Sequence, residues 1–163
     1  MIYILTGDIR TGKTTALLNW IKGRNDIDGL LCPDGNDGKR YFLKVKSKEE
    51  FELEVEFESE KTITIGSFHF LKSAFEKGNQ FLIELSTKTK SQYLIVDELG
   101  KLELKNEGLH NAALKLIPDF MFNDDTHLIL VVRASLLEEI INNYHIKEYT
   151  IISIEDLAKD SFT

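Results

Sequence analysis

The amino-acid sequence predicts an α/β fold, a mostly parallel sheet covered by helices on both faces. Residues 2–6, 93–97, 127–133 and 149–154 form four apolar runs without a polar face, as strands buried on both sides require. Helical stripes separate or follow these runs, as crossover connections between parallel strands demand. A glycine-containing turn joins the first run directly to a helical pattern, the strand–loop–helix arrangement of α/β folds.

Each helix declares itself by spacing. Ala16, Leu17, Trp20 and Ile21 mark the helix after the first turn, with Trp20 as a core anchor. Leu109, Ala112, Ala113, Leu116 and Ile117 form a complete i, i+3, i+4, i+7, i+8 stripe, and Leu136, Leu137, Ile140, Ile141 and Tyr144 form another. Residues 67–85 carry a helical stripe through Phe68, Leu71, Ala74 and Phe75, interrupted near Gly78.

The middle of the chain has a different period. Phe51, Leu53, Val55 and Phe57 alternate with Glu52, Glu54, Glu56 and Glu58, which predicts one strand with a wet face guarding a sheet edge. Residues 41–46 read as its antiparallel partner, with Lys44 and Lys46 opposite the glutamates. An antiparallel extension of the sheet is therefore expected around residues 28–66. Residues 33–38, Pro-Asp-Gly-Asn-Asp-Gly, are a dense turn cluster and the expected mobile loop. Repeats, low-complexity tracts and linkers are missing from the sequence, which predicts a single domain over 1–163.

The turn after the first strand carries the chemistry. Gly7-Asp8-Ile9-Arg10-Thr11-Gly12-Lys13-Thr14-Thr15 fits G-x-x-x-x-G-K-T, the phosphate-binding loop of nucleoside-triphosphate-binding proteins. Successive backbone N–H groups curl around the phosphates, and the helix N-terminus that follows favours an anion. Lys13 is expected on the β- and γ-phosphates, the Thr14 hydroxyl on Mg²⁺, and Thr15 near the α-phosphate.

The run at 93–97 ends in Asp97, so its carboxylate should emerge at the ligand edge of a strand neighbouring the loop and hold Mg²⁺. Glu98, one residue beyond, is placed to orient or deprotonate a water attacking the γ-phosphate. The chain has four arginines. Arg133 ends its strand at the same edge and fits either a γ-phosphate contact or a structural ion pair. Arg10 lies inside the loop, facing nucleotide or solvent, and Lys101 is a further candidate for phosphate.

Composition gives no support to several classes. A net charge of −7 provides no basic field for nucleic acid. Cys32 is the only cysteine, so no intrachain disulfide forms, and it reads as a small buried hydrophobe. His69, His110, His127 and His145 lack zinc-ligand spacing. No apolar stretch approaches the ~20 residues of a membrane span. The first strand begins at Ile2 and leaves no room for a signal peptide, so cytoplasmic residence is expected. Nucleoside triphosphates are the expected partners; a protein partner is unspecified.

Val96-Asp97-Glu98-Leu99-Gly100-Lys101-Leu102-Glu103-Leu104 resembles the D-E-[IL]-G-K-[ML]-E signature of a small nucleoside-triphosphatase family that includes the human cancer-related nucleoside-triphosphatase. Asp28-Gly29-Leu30, Lys39-Arg40-Tyr41-Phe42 and Ile65-Gly66-Ser67-Phe68 are similar to weaker family segments. The resemblance implies a P-loop NTPase fold and Mg²⁺-dependent hydrolysis of nucleoside triphosphates with a loose base preference. Lys13, Thr14 and Thr15 match the family's phosphate loop, and Asp97 and Glu98 its magnesium and water-activating pair. Arg10 departs from the family's usual Gly, and Asp8 adds a like charge near the phosphates. Phe68 and Phe70 fit core packing or base stacking. Two other readings remain open on the residues alone: a kinase passing the γ-phosphate to an acceptor, and a nucleotide-gated binding module.

Overall fold

The computed structural model describes residues 1–160 and Phe162. Strand β1 (Ile2–Gly7) leads through the loop into α1 (Lys13–Trp20), and β2 (Ile27–Leu31) follows. The chain then runs antiparallel through β3 (Tyr41–Lys44) and β4 (Glu50–Glu52) and builds a small sheet from β5 (Glu54–Val55), β6 (Thr62–Ile65) and β7 (Phe68–Leu71). Next come α2 (Lys72–Lys88), β8 (Tyr93–Val96), α3 (Lys101–Leu104) and α4 (His110–Met121). Strand β9 (His127–Arg133) passes through a 3₁₀ turn, Ala134–Leu136, into α5 (Leu137–Asn143), β10 (Thr150–Ile152) and α6 (Ile154–Lys159).

The main sheet has the order β10-β1-β9-β8-β2-β3-β4. Its first five strands are parallel, and β3 and β4 extend it antiparallel. Alternate strand residues feed opposite cores. Ile2, Ile4, Leu94, Val96, Leu128 and Leu130 pack with α2, α4 and α5, while Tyr3, Leu5, Tyr93, Ile95, Ile129 and Val131 pack with α1 and α6. Both faces are covered, which is why the strands lack a polar side. Each fully buried aliphatic side chain contributes about 1.5–3 kcal/mol.

The whole predicted stripe of α4, from Leu109 to Ile117, is buried. The four expected parallel strands are present, β9 with the expected bounds and the others with ends shifted by one or two residues. Other expectations need correction. Strand β2 is a fifth parallel strand, paired with β8, and not part of the antiparallel extension. Asp28 and Gly29 interrupt its apolar run, yet Asp28 is buried with its Oδ1 accepting the Gly29 amide at 2.8 Å. Gly29 lies at φ 132°, and a Cβ there would sit 2.3 Å from the Ile95 carbonyl oxygen.

The Glu/apolar alternation is not one strand either. Glu50–Glu52 belongs to the main sheet and Glu54–Val55 to the small one, with the chain crossing between them at the buried Leu53. Lys44 pairs with Glu49 at 2.7 Å, outside the expected glutamate row, and Lys46 donates to Ser91 at 2.8 Å. Residues 68–71 form β7 rather than the first turn of a helix, and α2 continues unbroken through Gly78. Gly78 instead lets α2 sit close to its neighbours: a Cβ there would meet Leu109 and Leu30 at 3.1 Å. Residues 33–38 form a turn closed by Gly35 N–H to the Lys39 carbonyl at 2.8 Å.

Candidate active site

The C-terminal ends of β1, β9, β8 and β2 meet at one edge, the position where open α/β sheets bind ligands. The loop after β1 ends at α1, whose N-cap Gly12 is left-handed at φ 87° and carries no side-chain cap. The first-turn N–H groups of α1 are therefore open to an anion. Lys13 is buried and folds back, its Nζ donating to the Asp8 carbonyl at 2.8 Å and the Gly7 carbonyl at 3.3 Å. Thr11 closes the loop by donating its hydroxyl to the Asp8 carbonyl at 2.9 Å. Arg10 adopts a left-handed φ of 58°.

Strand β8 is not the neighbour of β1, since β9 lies between them. Asp97 nevertheless reaches the loop: Thr14 Oγ1 donates to Asp97 Oδ2 at 2.8 Å, and the Cys32 amide donates to the same oxygen at 3.1 Å. Burial and the neighbouring Glu98 charge push the Asp97 carboxyl up to about 7, against the hydrogen bonds from Cys32 and Thr14. The Asp97–Glu98 peptide bond is cis.

Glu98 pairs with Arg133 at this edge, Nη2 to Oε1 at 3.1 Å. Arg133 Nε is buried and has no hydrogen-bond partner among the described residues. The turn carrying Glu98 is pinned twice: the Leu99 amide donates to the Val131 carbonyl at 2.9 Å, and the Gly100 amide donates to Glu103 Oε1 at 2.7 Å. Glu103 also accepts the Leu109 amide at 2.7 Å, tying the turn to the start of α4. Burial lifts its carboxyl to about 7.

Two adjoining cavities open on these groups. The larger, about 550 Å³, runs along the loop from Ile9 to Thr15 and past Asp97, Glu98, Arg40 and Arg133. The smaller, about 300 Å³, lies beyond Glu98, toward α2 and the small sheet. Of the expected site residues, Ile9, Arg10, Thr11, Gly12, Lys13, Thr14, Thr15, Asp97, Glu98 and Arg133 line the larger cavity. Gly7 and Asp8 contribute carbonyls behind it, and the Asp8 side chain is exposed. Lys101 lines only the smaller cavity.

The sequence reading missed three contributors. Arg40 lines both cavities, its guanidinium 5.9 Å from the centre of the Phe68 ring and its charge acting on Asp97. Its place in the Lys39-Arg40-Tyr41-Phe42 run was the available signal. Cys32 acts through its backbone, and burial and Asp97 drive its thiol up. Glu103 sits inside the quoted signature, but its role is visible only once Leu109 is seen beside Gly100.

Fold and site together define a phosphate-loop nucleoside-triphosphate-binding protein with the P-loop NTPase fold. The model of the NTPase family matches residues 2–162, and the chain belongs to that family. Among solved structures, THEP1 from the hyperthermophile Aquifex aeolicus superposes with a TM-score of 0.72 at 16% identity, covering 98% of this chain and 96% of its own. At that identity the likeness is one of fold. No curated relative matches the chain at a significant level. The family resemblance drawn from Asp97 to Glu103 is thus borne out, and nucleoside-triphosphatase activity is the general assignment it supports. No helix among the described residues is long and apolar enough to cross a membrane.

Proposed function

We propose that the protein hydrolyses nucleoside 5′-triphosphates to the diphosphate and phosphate, with Mg²⁺ and with a loose base preference. The observation that carries this reading is the 2.8 Å hydrogen bond from Thr14 to Asp97, with Glu98 one residue further along the same turn. Two hard oxygen donors this close suit Mg²⁺, which keeps its remaining positions for water and phosphate oxygens. Thr14 and Asp97 would hold the ion, which neutralises phosphate charge when bound. Among the described residues no group of three His, Cys, Asp or Glu forms a closed metal cage, in keeping with a site completed by substrate.

In this reading the open N-terminus of α1 binds the β-phosphate, and Lys13 exchanges the Gly7 and Asp8 carbonyls for phosphate oxygens. Glu98 orients the attacking water and takes its proton. Arg133 holds Glu98 in place through its 3.1 Å ion pair and adds positive charge beside the γ-phosphate. The larger cavity is lined along one side by the whole loop from Ile9 to Thr15 together with Arg40 and Arg133, which supports discrimination by the triphosphate rather than the base. We assign these steps to a single domain.

The test is phosphate release from ATP, GTP, CTP and UTP with Mg²⁺, using Glu98→Gln protein as the blank. Release from several triphosphates that falls roughly 100-fold or more in the variant, with Mg·ATP binding retained, is expected. Equal rates in the two proteins would remove Glu98 from the mechanism. Loss of binding in the variant would make Glu98 structural.

A further inference from the structure

The smaller cavity has two unlike walls. One is charged and shared with the phosphate site: Arg10, Arg40, Asp97, Glu98 and Arg133 line both cavities. The opposite wall is apolar, built from Phe42, Leu53, Phe70 and Phe75, with Leu102 and Leu109 at its base. Phe42, Phe70 and Phe75 pack edge-on or at a steep tilt, with Phe42–Phe75 centroids 5.8 Å apart and Phe70–Phe75 centroids 6.2 Å apart. Hydrolysis needs a water at Glu98 and makes no use of an aromatic wall. A chamber of about 300 Å³ stands at the lower end of the range for small-molecule sites, about 300–1,000 Å³.

We propose that this chamber binds a small, uncharged aromatic alcohol, and that the protein transfers the γ-phosphoryl group of a bound triphosphate to its hydroxyl. The apolar wall takes the ring, and the charged wall takes the polar tip. The tip must bring a proton that Glu98 can accept, which a hydroxyl has and a carboxylate or phosphate dianion lacks. The alcohol oxygen forms a bond to the γ-phosphorus, and the bond from that phosphorus to the β–γ bridging oxygen breaks. The electron pair leaves with the diphosphate, and the hydroxyl proton passes to the Glu98 carboxylate. Arg133, which lines both cavities and pairs with Glu98 at 3.1 Å, holds that carboxylate between them. Water occupies the acceptor position when the chamber is empty. The inference rests on the reading of Glu98 as the group that activates the nucleophile.

The experiment uses naphthalenemethanol, tryptophol and benzyl alcohol as probes, with Mg·ATP and the full chain. Binding is read by ligand-observed NMR, phosphomonoester by phosphorus NMR, and diphosphate and phosphate by coupled assay. Saturable binding is expected, together with phosphomonoester formed in step with ADP. Ile65→Trp, which places a large ring into the chamber from β6, weakens that binding by about tenfold or more. The variant's thermal unfolding transition checks that it folds. Absence of saturable binding by all three probes overturns the inference. So does binding indifferent to Ile65→Trp, or binding that yields only inorganic phosphate. Glu98-dependent phosphate release without alcohol tests the hydrolytic reading by itself. Phosphomonoester without that release leaves the chamber standing and removes hydrolysis; release without alcohol binding does the reverse.

Discussion

Glu103 carries a charge cost at a point that the site depends on. It is 4% exposed and sits beneath the turn of Glu98, accepting the Gly100 and Leu109 amides. Its carboxyl is lifted from 4.5 to about 7, chiefly by burial. Between those values the folded chain keeps a proton that the unfolded chain has released. Stability therefore falls as pH rises through that window, by on the order of 1 kcal/mol per pH unit, and levels off above the folded value. Asp97, lifted from 3.8 to about 7 by burial and then Glu98, acts in the same sense. Urea midpoints of the protein without nucleotide or magnesium should drop between about pH 5 and pH 7. Glu103→Gln should flatten that slope while lowering the midpoint, because its amide cannot accept both N–H groups. An unchanged slope would show that Glu103 is not among the groups responsible.

Two glycines distinguish a backbone requirement from a packing one at the level of elements. Gly29 in β2 combines φ 132° with a Cβ position 2.3 Å from a backbone oxygen of β8. Neither strand can yield without losing the pairing, so Gly29→Ala should cost about 3 kcal/mol or more. A Cβ at Gly78 in α2 would meet the methyl ends of Leu109 and Leu30 tightly and the Phe42 ring at an ordinary 3.8 Å, and alanine regains helix propensity, so Gly78→Ala should stay within about 1 kcal/mol of the parent. Chemical denaturation of both variants reads the contrast; similar losses would refute it. These elements also show what sequence could and could not reveal. Strands β1, β8 and β9 were legible because both their faces are apolar, and α4 because one unbroken stripe faces the core. Strand β2 was hidden by Asp28 and Gly29, whose polarity is answered only in three dimensions. Strand β7 read as helix because Phe68 and Leu71 happen to stand at helical spacing from Ala74 and Phe75. In the site, Lys13, Thr14, Asp97 and Glu98 were legible from local motifs. Arg40 and the aromatic wall were not, since their place depends on how residues 32–92 fold over the sheet edge.

For the whole molecule, ligand binding and stability are coupled by mass action. Mg·ATP at about 100 times its dissociation constant should stabilise Glu98→Gln protein, which retains the nucleotide, by about 2.7 kcal/mol. For a chain of this size that is roughly 5–11 °C in Tm. Lys13→Ala, which loses the cation over the phosphates, should show little of this shift; an undiminished shift would contradict the loop assignment. The same molecule divides its labour along the chain. The groups proposed to act on phosphate come from the loop after β1 and from the ends of β8 and β9, whereas the aromatic wall comes mainly from the single stretch between β2 and β8. Under the proposed roles, selectivity and catalysis would thus be written in separate passages of one polypeptide. Exchanging the middle passage would then be a route to retargeting the protein while the phosphate-directed edge stays in place.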